Sequence, residues 1–139
     1  MLSGPGLETI FKALSGTGDA NVAPLKAEAI TQAAIETSHP IAVRAVEMFC
    51  EVLGAVAGEM VLATGARCGV ILGGGILPKI AKIFAESAFV DRFTQMGPMA
   101  DYVRDVPVTL ITNEKAALIG VVSCLYQRSG SGAPFDICQ

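Results

Sequence analysis

The spacing of apolar positions changes from block to block along this chain. Leu7, Ile10, Phe11 and Leu14 recur at three and four residues, which predicts a helix from Leu7 to Leu14 stopped by Gly16. Ser3-Gly4-Pro5-Gly6 ahead of it reads as a turn. Gly16 to Pro24 is a polar, glycine-containing loop, and Lys26 to Glu36 predicts a second helix with Ile30, Ala33 and Ala34 inward. Ser38-His39-Pro40 opens the longest element, with Ser38 placed to cap it and Pro40 suited to its first turn. It runs to about Thr64, with Gly65 as the stop. Val46, Phe49, Val52, Leu53, Val56, Met60 and Val61 surround much of that helix, so it is expected to be buried on several sides. Gly54 and Gly58, four apart, put two small residues on one face, where another element can approach closely.

The second half alternates short apolar runs with short helical patterns. Cys68 to Leu72 predicts a strand, and Val106 to Ile111 a second one whose Pro107 marks an edge or a strand start. Between them, Pro78 to Glu86 predicts a helix with Ile80, Ile83 and Phe84 inward, followed by helical turns at Phe89 to Phe93 and Met99 to Arg104. Glu114 to Gln127 is the last helix. Its middle, A-A-L-I-G-V-V-S-C-L, is apolar nearly all round and needs cover on several sides. The pattern is α/β, helix-rich with a short sheet: one unit over residues 1–128, then a loose tail over 129–139.

Composition sharpens this picture. The chain has 139 residues, 52% of them hydrophobic, and a mean hydropathy of +0.54. A domain of this size leaves much of its surface exposed. The apolar excess therefore points to surface covered by a partner, a second copy through the apolar helices included, or by a missing part of the protein. Net charge is −3, with no basic patch to suit a nucleic acid. The longest apolar stretch, Ile41 to Ala63, is interrupted by Arg44, Glu47, Glu51 and Glu59, so no membrane span is expected. The start M-L-S-G-P-G has no basic region of a signal peptide. Three of the four cysteines, Cys50, Cys68, Cys124 and Cys138, lie in apolar segments without a C-x-x-C pair. Buried free thiols in a reducing cytoplasm are expected, and no metal site.

Chemistry concentrates at V-I-L-G-G-G-I-L-P-K, Val70 to Lys79. An apolar run enters three glycines, which allow a sharp turn and close approach of a ligand to the main chain. Pro78 then suits the first turn of a helix. Strand, glycine turn and helix start are a common way to build a nucleotide site. The run is neither a G-x-x-x-x-G-K-[ST] loop nor G-x-G-x-x-G, whose last glycine would fall at Pro78. Lys79 and Lys82 after the turn stand either to meet a phosphate or to remain in solvent. Glu47 and Glu51 share a helix face that reads as solvated. His39, the single histidine, reads as an exposed helix-start residue with no nucleophile beside it. No catalytic residue is assigned.

Three motifs in order make the chain resemble the C-terminal part of bacterial glucokinases, to about residue 127. They are L-S-G-P-G-L at Leu2 to Leu7, G-V-I-L-G-G-G-I-L-P-K at Gly69 to Lys79, and D-V-P-V-T-L-I at Asp105 to Ile111; the E-K-A-A-L-I-G helix matches more loosely. The resemblance implies the C-terminal portion of an actin-like ATPase, ribonuclease H-like sugar kinase domain. It implies an ATP-dependent, cytoplasmic enzyme that phosphorylates glucose with magnesium. It places Gly74 and Gly75, with Gly73 in the same turn, against the adenosine. Gly4 and Pro5 match a turn bordering the adenine. Asn113 to Leu118 match the start of the closing helix, which edges the nucleotide pocket. The aspartate base, both phosphate loops and the E-G-x-H sugar ligands of that family do not occur here. Gly16-Thr17-Gly18 mimics one loop but follows a helix. The expectation is thus a truncated piece or a separately encoded C-terminal part, inactive by itself, with the magnesium ligands elsewhere. The rival reading is a non-catalytic dimerisation module of a sugar-kinase-like regulator. A Rossmann-type oxidoreductase is disfavoured by Pro78 and by the lack of an acidic residue ending a second strand.

Overall fold

A computed structural model describes residues 2–16, 25–113 and 115–128. The expected tail over 129–139, Cys138, and Thr17 and Gly18 of the G-T-G mimic lie outside the described residues. The order is α1 Gly4–Ser15, α2 Ala27–Ile35, α3 Pro40–Thr64, β1 Val70–Leu72, α4 Ala81–Glu86, α5 Phe89–Thr94, a 3₁₀ turn Gly97–Met99, α6 Ala100–Arg104, β2 Val108–Leu110 and α7 Ala116–Arg128. This is the helix-rich α/β arrangement with a short sheet that the sequence pattern predicts.

α1 begins three residues earlier than its apolar stripe. Ser3 is extended, and its Oγ accepts from the Gly6 N–H at 3.3 Å. Pro5 sits in the first turn, where its missing N–H leaves no bond unmade. Gly4 to Gly6 are therefore helical and not the separate turn expected. Leu7, Ile10 and Phe11 are buried against α3. Glu8 Oε1 reaches 19 residues along the chain to accept from the Ala27 N–H at 3.0 Å, satisfying the exposed start of α2.

α3 has 25 residues, so it is about 37 Å long. Its cap position is His39 and not Ser38; the Ser38 hydroxyl donates back to the Ala33 carbonyl and closes α2. The His39 ring packs 5.5 Å from that of Phe11 and is half-buried, which corrects its reading as exposed. Gly65 ends the helix at φ +67, the left-handed conformation that suits glycine. α1 and α2 cover the N-terminal part of α3, and α5 crosses its C-terminal part. Ala42, Ala45, Val46, Phe49, Cys50, Gly54, Ala57, Gly58 and Val61 are buried along its length. A β-carbon at Gly54 would strike the Phe89 carbonyl oxygen, and one at Gly58 that of Phe93, so the two glycines do admit a close crossing. Glu51 is reached by Arg44 of the same helix at 2.9 Å and by Arg92 at 3.4 Å, and the second contact ties α3 to α5.

β1 and β2 pair in parallel, Val70 with Val108, Ile71 with Thr109 and Leu72 with Leu110. The strands are shorter than the apolar runs. Cys68 falls in the preceding loop and is exposed, as is Cys124 on α7, so only Cys50 of the described cysteines is buried as expected. Leu72 is buried and Val70 half-buried, whereas Ile71 on the other face is 72% exposed. The helix expected from Pro78 begins at Ala81, because the Ile76 carbonyl accepts from both Lys79 and Ile80 and closes a turn first. No helix among the described residues is long and apolar enough to cross a membrane.

Candidate functional site

Parallel pairing puts the carboxyl ends of both strands on one edge of the sheet. Gly73 to Gly75 leave β1 there, and Ile111 to Asn113 leave β2 beside them. The edge is fixed by the backbone: the Ile111 N–H donates to the Leu72 carbonyl at 2.8 Å. Open α/β sheets bind ligands off this edge. Ile111 Cδ1 lies 3.7 Å from where a β-carbon on Gly73 would be, so this side chain backs the turn.

The three glycines differ. Gly74 has φ +136, a conformation that L side chains rarely adopt. Gly75 has no such backbone demand, and nothing lies within 4 Å of a β-carbon at either position. All three are exposed. At Gly74 and Gly75 the turn is a bare stretch of main chain facing open space.

Gly4 and Pro5 lie at the start of α1, beside the start of α2: a β-carbon on Gly4 would sit 3.5 Å from Ala27 Cβ. The next residue of α2, Glu28, holds its carboxylate 3.6 Å from the Lys79 ammonium, four residues beyond Gly75. The start of α2 thus links the Gly4-Pro5 end to the glycine turn. Sequence reasoning missed Glu28 entirely; its partner lies 51 positions away, and no local pattern marks it.

Asn113 has a structural task. Its Oδ1 accepts from the Lys115 N–H at 2.9 Å and its carbonyl from that of Ala116, which launches α7. Leu118 is 68% exposed on α7. Glu47 and Glu51 are engaged by Arg44, which with Arg92 holds the Glu51 carboxyl below the usual carboxylate range. Glu51 is accordingly half-buried and not on a merely solvated face. Among the described residues no group of three or more His, Cys, Asp or Glu stands ready for a metal.

A parallel sheet within a helix-rich α/β chain, with an open glycine turn off its carboxyl edge, defines the class: an α/β protein whose sheet edge is accessible to a ligand. The family model described as Glucokinase matches residues 1–128. The chain is 40% identical over 122 residues to a glucokinase of Nitrobacter hamburgensis, covering 88% of this chain and 38% of that protein. It is 41% identical over 129 residues to one of Cupriavidus metallidurans, covering 92% and 38%. A solved glucokinase from an Antarctic psychrotroph superposes with a TM-score of 0.79 at 38% identity, over 90% of this chain and 39% of that one. The chain belongs to the glucokinase family. It spans less than two fifths of the length of these relatives.

Proposed function

We propose that residues 1–128 form the nucleotide-facing C-terminal part of an ATP-dependent glucokinase, cytoplasmic, which converts glucose and ATP to glucose 6-phosphate and ADP. The observation that carries this reading is the exposed turn Gly73 to Gly75, open to a ligand and set off the carboxyl edge of a parallel sheet. In the reading, Gly74 and Gly75 lie against the adenosine, with Gly73 behind them and Gly4 and Pro5 beside the adenine. Asn113 borders the site at the entry to α7; Leu118, expected there as well, lies on the exposed apolar face of that helix. Phosphoryl transfer depends on positioning and on charge stabilisation by magnesium. The aspartate base, the magnesium site and the glucose ligands belong to sequence outside this stretch, which supplies the adenosine side. The exposed apolar side chains of α7 favour association as well, with a second copy in a homo-oligomer as the occupant.

Gly75→Val in the full-length enzyme is the test. Its backbone accepts a side chain, so the variant folds, while the added methyl groups occupy the ligand's space. The KM for ATP is expected to rise about tenfold or more, equivalent to ~1.4 kcal/mol of lost binding. The KM for glucose stays within about twofold. An unchanged KM for ATP in a folded, active variant overturns the assignment.

A further inference from the structure

We propose that Lys79 contacts the phosphate chain of the nucleotide, and that Glu28 is its resting counter-ion, displaced when the nucleotide binds. This rests on the nucleotide reading above and adds to it a residue and an exchange. Lys79 is fixed at its base. Its N–H bonds the Ile76 carbonyl at 3.1 Å, and the neighbouring Leu77 and Ile80 are buried. Its side chain is 43% exposed, so its head group is open to solvent. Lys79 lies four residues beyond Gly75, and its ammonium pairs with Glu28, whose neighbour Ala27 adjoins Gly4 at the start of α1.

The resting pair is built to be broken. At 3.6 Å it is longer than a hydrogen-bonded contact, and the Glu28 side chain is 87% exposed. Exposed pairs of this kind contribute little. A triphosphate offers several negative oxygens to the same ammonium and forms stronger charge-assisted hydrogen bonds. Arg44, Arg92 and Arg104 differ, because each reaches a carboxylate at 2.7 to 3.4 Å within or between the helices it braces.

Charge-neutral variants of the two partners in the full-length enzyme separate exchange from simple bracing. K79M should raise the KM for ATP about tenfold, the loss of one charge-assisted contact. K79R should recover most of that loss. Binding of adenosine, which has no phosphate, should not respond to K79M. E28Q should lower the KM for ATP about two- to threefold, because the competitor for Lys79 is gone. If the pair merely braces the turn, E28Q and K79M raise the KM together, and that outcome overturns the proposal. An unchanged KM in K79M overturns it too. E28Q decides the matter alone if K79M does not fold. With Gly75→Val measured alongside, a failure of both substitutions removes the nucleotide reading itself, whereas a failure of K79M alone removes only the role of Lys79.

Discussion

Gly54→Ala should destabilise this chain, although the same change in most helices stabilises. In an exposed helix, alanine is favoured over glycine by ~1 kcal/mol. At Gly54, the new β-carbon meets the Phe89 carbonyl oxygen and lies 3.1 Å from Arg92 Cβ. The main obstacle is backbone of α5, so no rotamer change relieves it. Overpacking of this kind costs ~1–3 kcal/mol. Pushing α5 outward also loosens Phe89 and Phe93, which are 2% and 3% exposed; each contributes ~1.5–3 kcal/mol when fully buried. Losing roughly a third of that from the pair offsets the propensity gain and leaves a net loss of ~1–3 kcal/mol. For a chain of this size each kcal/mol is worth ~3–5 °C, so the midpoint should fall by about 3–15 °C. Gly120 supplies the control: it lies within α7 with nothing within 4 Å of a β-carbon. Gly120→Ala should raise the midpoint by about 3 °C. Thermal and urea unfolding, followed by circular dichroism, read both changes. A Gly54→Ala chain as stable as the parent, or equal losses in both variants, would refute the argument that close backbone approach sets the α3–α5 crossing.

Two other outcomes follow from burial. Burial pushes the Cys50 thiol up to about 11 from its ordinary 9.0, so native-state alkylation near pH 8 should modify the exposed Cys68 and Cys124 and spare Cys50 until the chain unfolds. Below about pH 9 both states keep the Cys50 proton. Between about 9 and 11 only the unfolded chain loses it, so stability should fall across that window, and a Cys50→Ala chain should show a smaller fall. Separately, this chain should self-associate at micromolar concentration. Ile71, Leu118, Val121 and Leu125 are 58–72% exposed, and an apolar groove of about 330 Å³ opens between α3 and β1. Light scattering should give a mass above 14.4 kDa; a stable species at that mass that binds no hydrophobic dye would sink the idea.

What the sequence revealed, and what it hid, divides by range. Caps, stops and apolar stripes act within about four residues. They placed α1 to α3, the stop at Gly65 and the small-residue face at Gly54 and Gly58, each of which the structure bears out. They failed where a local signal had two outcomes. Ser-Gly-Pro-Gly suits a turn or a capped helix start, and the Ser3 hydroxyl decides for the second. Pro78 suits a helix start or the turn before it, and the double acceptance by the Ile76 carbonyl decides for the turn. Burial of cysteines is a property of neighbours, so an apolar flank misled at Cys124, whose helix has no buried side chain among those described. The contacts that assemble the candidate site are longer still, Glu8 to Ala27 and Glu28 to Lys79.

The glycines show how structure turns such a pattern into an argument about function. Gly54 and Gly58 are demanded by packing, and Gly74 by its backbone angle. Gly75 and Gly120 answer to neither, since each faces open space in an ordinary conformation. A glycine in a helix interior carries a cost of ~1 kcal/mol relative to alanine, so Gly120 is unfavourable for this chain taken by itself. Smallness at these two positions makes physical sense if something beyond the described residues comes close to them. At Gly75 the open carboxyl edge of the sheet is where the proposed nucleotide would lie. At Gly120 the exposed Leu118, Val121, Val122 and Leu125 around it favour an apolar protein surface. The two positions therefore separate ligand from partner by the chemistry of their surroundings, and Gly75→Val and Gly120→Val in the full-length enzyme should divide the same way, the first acting on the KM for ATP and the second on assembly.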